Sequence, residues 1–180
     1  MLDPALGYLI IVGIALLFAS AGAHKLRDLA RFADVFAAYR VFPNALARRL
    51  AWLIPSLELG LAAGLLWAPS RRTAVIAAFI VLIAYASSLG LNLLRGRRDL
   101  DCGCGTARNR RAIAAWMVWR NLILAAALGI ALLPWSPRSF DLTDLLTVMG
   151  GLTVGVTLYA AVDRLLGDVA PKAMLLRSTS

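Results

Sequence analysis

Apolar residues along this chain come in long blocks separated by short polar stretches. Five blocks stand out: Ala5–Ala23, Leu50–Ala68, Thr73–Leu94, Ala112–Leu133 and Leu145–Val162. Each is near the roughly 20 residues with which a helix crosses a bilayer core. Three hold no charge; Glu58 is the one formal charge in the second and Arg120 the one in the fourth. A helix satisfies its own backbone in lipid, so five spanning helices are the expectation. Between the first two blocks the pattern changes. In Leu26–Arg40, Leu29, Phe32, Phe36 and Tyr39 recur at three- and four-residue steps, with Arg27, Arg31 and Asp34 mostly elsewhere on the wheel. That periodicity predicts a short amphipathic helix over 26–40, lying in the membrane interface with its aromatics at the acyl boundary. Val41-Phe42-Pro43-Asn44 ends it, because the residue before proline is pushed out of helical geometry.

The fold class that follows is an all-α polytopic membrane bundle, one unit over 1–167 with a polar tail over 168–180. Composition agrees: 61% of residues are hydrophobic and 16% charged, against a usual apolar share of about 45–50%. Ala19-Ser20-Ala21-Gly22-Ala23 resembles a signal-peptide cleavage site. The residues before the block lack Lys and Arg, and the block is long for a signal sequence, so a retained first span is expected. Pro55 withholds a helix hydrogen bond from Ala51 and predicts a kink. Gly60/Gly64 and Gly151/Gly155 form small-xxx-small pairs that predict close helix packing.

A net charge of +9 raises the question of nucleic acid, but its distribution describes a membrane topology. Lys25, Arg27, Arg31, Arg40, Arg48 and Arg49 share one side with Arg95, Arg97, Arg98, Arg108, Arg110, Arg111, Arg164, Lys172 and Arg177. The other side has Arg71, Arg72 and Arg138. The positive-inside rule then places the N-terminus outside and the loop over 95–111 in the cytoplasm. The expected partner is the lipid bilayer of a bacterial cell membrane, not nucleic acid.

Candidate chemistry converges on that basic side. Glu58 lies about eight residues, or ~12 Å, from the end of its span, and Arg120 lies at a similar depth in the fourth. A carboxylate inside a span normally faces the bundle and finds a partner, so a Glu58–Arg120 pair is expected. It serves either to orient two helices or to flank a ligand or redox site. His24 and Lys25 close the first span, Asn92 ends the third, and Asn121 follows Arg120. Both cysteines of the chain, Cys102 and Cys104, sit one glycine apart on the basic loop, beside Asp99 and Asp101. Three readings stand: a redox dithiol, a metal site, or inert thiols. Structural zinc wants four ligands, and two cysteines with the sole His24 are a poor set. Inert cysteines sit in apolar surroundings, whereas flanking arginines favour the reactive thiolate. Gly103 and Gly105 free the backbone to bring the sulfurs together. So tight a ring is strained and readily reduced.

Several pieces, in order, resemble the MauE-type methylamine-utilisation membrane proteins of the DoxX-like group. They are Gly22-Ala23-His24-Lys25-Leu26, Phe32, Ala38-Tyr39-Arg40-Val41-Phe42-Pro43, Ile54-Pro55-Ser56-Leu57-Glu58-Leu59-Gly60, Asp101-Cys102-Gly103-Cys104-Gly105 and Trp119-Arg120-Asn121-Leu122. They cover residues 10–133, and the fifth span carries no matching motif. Family members often place a phenylalanine after the second cysteine; here Gly105 follows directly. The resemblance implies a four-helix DoxX-like core plus one helix, and a role in maturing a disulfide-containing client such as the methylamine dehydrogenase small subunit. It also implies thioredoxin-like partners. Cys102 and Cys104 would exchange electrons with such a partner or with a membrane quinone, with Glu58, Arg120 and Lys25 shaping the site or managing protons. The alternative is an assembly factor that docks its client without redox chemistry. The client folds outside the cytoplasm, whereas the charge bias puts the cysteines inside.

Overall fold

The structure is a computed structural model that describes residues 1–97, 100 and 112–177, with side chains described through 162 and at 165. Seven α-helices follow in order: α1 Pro4–Arg27, α2 Leu29–Ala38, α3 Asn44–Leu50, α4 Leu53–Leu66, α5 Arg71–Leu94, α6 Ala115–Ala131 and α7 Leu142–Arg177. Four segments are long and apolar enough to cross a membrane: Pro4–Arg27, Asn44–Leu66, Ala68–Leu94 and Leu142–Val162. α6 is a shorter apolar helix of 17 residues.

Helices α1, α4, α5 and α6 form a four-membered ring in which each packs on the next, and α7 lies outside it against α1. This is the expected four-plus-one bundle. The ring encloses a dry core of Ile11, Ile14, Phe18, Leu61, Leu65, Val75, Leu82 and Leu128. α7 turns only a narrow stripe inward, with Asp144 and Val148 buried and most other described side chains exposed. It continues to Arg177, past residue 167 where a polar tail is expected from the sequence.

Two faces follow from the alternation of the helices. The N-terminal face holds the starts of α1, α5 and α7. Asp3 caps α1 by accepting from the Ala5 N–H at 2.9 Å, with Pro4 at the first helical position. Arg138 ties the chain start to α7, donating to Asp3 at 2.9 Å and to both Asp144 oxygens at 2.6 Å. Hydrogen bonds to Asp144 and then Asp3 raise Arg138 above its usual range. The Thr143 hydroxyl, then the Asp144 N–H, lowers Asp141.

The opposite face carries α2, α3 and the ends of the 98–111 loop. The Asp28 carboxylate accepts from the Arg31 N–H at 3.2 Å, which splits the expected 26–40 helix into the end of α1 and a separate α2. The aromatics of α2 turn onto the bundle rather than into lipid. Phe32 is buried, and Tyr39 packs against Leu89, Ile113 and Met117. The kink expected at Pro55 falls one turn earlier: Ala51 and Trp52 form a turn between α3 and α4, at the carbonyl that Pro55, inside α4, cannot meet. Only one glycine of each pair packs. A Cβ on Gly64 would stand 3.1 Å from Ala74, and one on Gly151 2.9 Å from Leu9, but at Gly60 or Gly155 it would meet nothing within 4 Å. α1 and α4 pack closely at Gly22, where a Cβ would lie 2.9 Å from the Pro55 carbonyl oxygen.

Candidate functional site at the loop face

Two polar clusters lie beneath the loop that carries the cysteines. The deeper one joins three helices. Lys25, in the last turn of α1, donates to Glu58 Oε1 on α4, and the Tyr85 hydroxyl on α5 donates to the same oxygen at 2.7 Å. Glu58 is 1% exposed and Lys25 8%. The ammonium stands 5.3 Å from the Phe32 ring centroid and 5.2 Å from that of Tyr85, so two aromatic faces replace water around it. Glu58 Oε2 is buried with no hydrogen-bond partner, alone in this among the described side-chain atoms. In apolar surroundings such an atom is costly, and it leaves an acceptor inside the bundle that the fold does not use.

The expected Glu58–Arg120 pair is therefore not formed. α4 and α6 occupy diagonal positions in the ring, and equal depth does not make diagonal helices meet. Arg120 instead faces α7, donating to the Tyr159 hydroxyl at 3.0 Å with its guanidinium 5.3 Å from the Trp116 ring centroid. His24 is exposed, turned away from its neighbour Lys25. Asn121 is buried and donates to the Met117 carbonyl at 2.8 Å.

The second cluster braces the loop where it leaves and rejoins the bundle. Asn92 lies seven residues past Tyr85 on α5, ~10 Å nearer the loop face at 1.5 Å per residue. Buried Asn92 donates to the carbonyls of Ser88 (2.9 Å) and Tyr39 (3.4 Å) and accepts from Arg97 at 3.1 Å. Arg97 also donates to the Ala38 carbonyl at 2.8 Å, tying the loop start to the end of α2. Gly96 takes φ +70°, the left-handed turn that ends α5 and aims Arg97 back across it. On the return, the Ile113 N–H donates to the Leu100 carbonyl at 3.0 Å, pinching the loop's two ends together. Cys102, Cys104, Asp99 and Asp101 lie outside the described residues. The described part of the site is a backbone pinch at 100/113, a polar brace at Asn92–Arg97, and the buried Lys25–Glu58–Tyr85 cluster two turns deeper.

Tyr85, Phe32 and Arg97 had not been singled out from the sequence as site residues. A phenol inside a mostly apolar helix was the available signal for Tyr85.

A family model described as "Methylamine utilisation protein MauE" matches residues 3–134. The methylamine utilization protein MauE of Paracoccus denitrificans is 36% identical over 132 residues, 73% of this chain and 71% of that protein. The protein of the same name from Methylophilus methylotrophus is 32% identical over 177 residues, covering 96% of this chain and 92% of its own length, so that likeness extends over α7. No solved structure matches the chain.

Proposed function

This chain belongs to the MauE family of methylamine utilisation proteins, and from that membership we propose that it matures a client protein by thiol–disulfide exchange at Cys102 and Cys104. The observation that carries the reading is the built base of the cysteine loop: both loop ends are pinned, by Asn92–Arg97 and by Leu100–Ile113. A pinned base with a Gly-spaced dithiol beyond it in the sequence suits exchange with a second protein, because the base is fixed to the bundle at both ends.

The chemistry balances as a relay. A client thiolate attacks the Cys102–Cys104 disulfide and forms a mixed disulfide; the second client thiolate displaces it. The client gains a disulfide, and the pair is left as a dithiol holding two electrons and two protons. One cysteine thiolate then attacks the disulfide of a thioredoxin-like partner and the other resolves it, so the pair is reoxidised and the partner leaves as a dithiol. Arginines flanking the pair favour the thiolate each step needs. Lys25, Glu58 and Tyr85 hold α1, α4 and α5 together beneath the loop as positioning residues. The charge bias supports a cytoplasmic loop face and an N-terminus outside; direct attack by a client outside the cytoplasm requires the loop on the client's side, and the labelling experiment below decides between the two.

The test is alkylation of free thiols with and without oxidant, in the wild type and in Cys102→Ser. A reversible intramolecular disulfide in the wild type, and a trapped mixed disulfide in Cys102→Ser, are expected. A pair that never oxidises refutes the exchange. Full client maturation by Cys102→Ser/Cys104→Ser leaves docking without redox chemistry as the function. Labelling of Cys104 on intact cells by a membrane-impermeant thiol reagent reads the side directly.

A further inference from the structure

On the N-terminal face, far from the cysteine loop, a crevice of about 340 Å³ opens between α1, α5 and the segment after α6. Ile11, Val75 and Leu133 make its floor and wall apolar; Arg71 and Arg72 stand at its rim, and no acidic residue lines it. Arg71 is held in place rather than free to wave. Its guanidinium lies 5.2 Å from the Tyr8 ring centroid and 6.0 Å from that of Trp135, and its Nε donates to the Leu65 carbonyl at 3.4 Å. These contacts leave its terminal amino groups without a hydrogen bond to the described residues. Arg72, next to it, is exposed and unpaired among the described residues. The first turn of α5 begins between them, and Ser70 gives it no side-chain cap, so helix N–H groups add to the positive end.

A guanidinium fixed on two aromatic faces, with donors unspent, matches the planar bidentate recognition of phosphate. The apolar walls below do not suit a fully hydrated ion, which would lose its water there without replacement. Head and tail requirements together specify an amphiphile. We infer that this crevice binds an anionic phospholipid, its phosphate at Arg71 and Arg72 and one acyl chain passing over Val75 and Leu133 into the bilayer. Such a lipid fills the seam between α5 and the segment after α6, and keeps the N-terminal face sealed.

Native mass spectrometry of the full chain in detergent, titrated with phosphatidylglycerol or phosphatidylcholine of matched acyl chains, tests this. The wild type should retain phosphatidylglycerol at least tenfold more strongly, the scale set by two basic side chains near a membrane surface. R71Q/R72Q should bring the two lipids level, while R27Q, on the opposite face, keeps the preference. L133W, which fills the apolar wall and leaves both arginines, should lose phosphatidylglycerol as well. Should R71Q/R72Q fail to fold, R72Q alone is read, with an expected fall of threefold or more. Equal binding of both lipids by the wild type, or a preference surviving R71Q/R72Q, overturns the inference. So does a melting temperature raised as much by inorganic phosphate as by phosphatidylglycerol, which would mark a free-anion site.

Discussion

Glu58→Gln removes one charge from the buried three-helix cluster and changes little else in shape. Gln still offers an oxygen to the Tyr85 hydroxyl, now bonded at 2.7 Å. What it withdraws is the counter-charge of Lys25, a side chain only 8% exposed. Breaking one side of a buried ion pair costs about 3–5 kcal/mol, and an unpaired basic group at the centre of a spanning helix about 2.5–3.5 kcal/mol. Lys25 lies in the last turn of α1, where its stem can reach toward the interface, and the Phe32 and Tyr85 rings still face it. The lower end applies, near ~3 kcal/mol. Lys25→Met should cost a similar amount by stranding the carboxylate. Lys25→Met/Glu58→Met removes both charges and leaves only the Tyr85 hydroxyl without its acceptor, a loss of ~1 kcal/mol. The double variant should therefore be more stable than either single one, by about 2 kcal/mol. Reversible unfolding in mixed micelles with increasing SDS, followed by circular dichroism, measures all three. A Glu58→Gln cost under 1 kcal/mol, or a double variant as unstable as the sum of the singles, refutes the account of the cluster as one coupled, desolvated pair.

Further outcomes follow from the other contacts. Gly22→Ala should cost about 1–3 kcal/mol, because its Cβ meets the rigid Pro55 carbonyl at 2.9 Å. Gly60→Ala should be neutral or stabilising by up to ~1 kcal/mol, since nothing lies within 4 Å and alanine is the better helix former; the same SDS titration separates the two. Asn92→Leu removes the acceptor of Arg97 and should lower stability by about 1–3 kcal/mol. It should also speed alkylation of Cys102 and Cys104 severalfold in the folded protein, and an unchanged rate would mean the brace does not position the loop. Asp141 is lowered by the Thr143 hydroxyl and the Asp144 N–H. Its contribution is complete above the unfolded value near ~4 and is lost as pH falls through the lower folded value. Hydrogen-exchange protection of the first turn of α7 should be flat from neutral pH down to ~5 and fall only in acid. Thr143→Val should shrink that acid response.

The spans and their breaks were readable because they depend on local composition. An apolar block declares a helix from its own composition, although Ala112–Leu133 shortens to the 17-residue α6, and Pro55 marks the turn at Ala51–Trp52 one turn before it. The partner of Glu58 was not readable in the same way. Depth along a span can be counted from the sequence, but the order of helices around a ring cannot, and Arg120 sits on the diagonal helix. Lys25 was visible as a last-turn cation of α1, the span before the one that holds α4, and consecutive spans commonly pack together. What the sequence leaves open is which of the two cations, Lys25 or Arg120, stands beside Glu58. The glycines show the same limit: Gly60 and Gly64 are equivalent as a motif, yet only Gly64 meets a neighbour. Gly22, within a run that looks like a cleavage site, is a close contact between α1 and α4. The aromatics of α2 were correctly grouped on one face, but periodicity does not say whether that face looks at lipid or at protein; Lys25 beneath Phe32 decides it.

The Arg138 clasp has a consequence for biosynthesis. It joins Asp3, which caps α1, to Asp144 in the first turn of α7. The four helices of the ring all precede α7 in the chain. Closure at Arg138 must wait until Asp144 has been made. The clasp is thus a contact that exists only once α7 has been made, after all four helices of the ring.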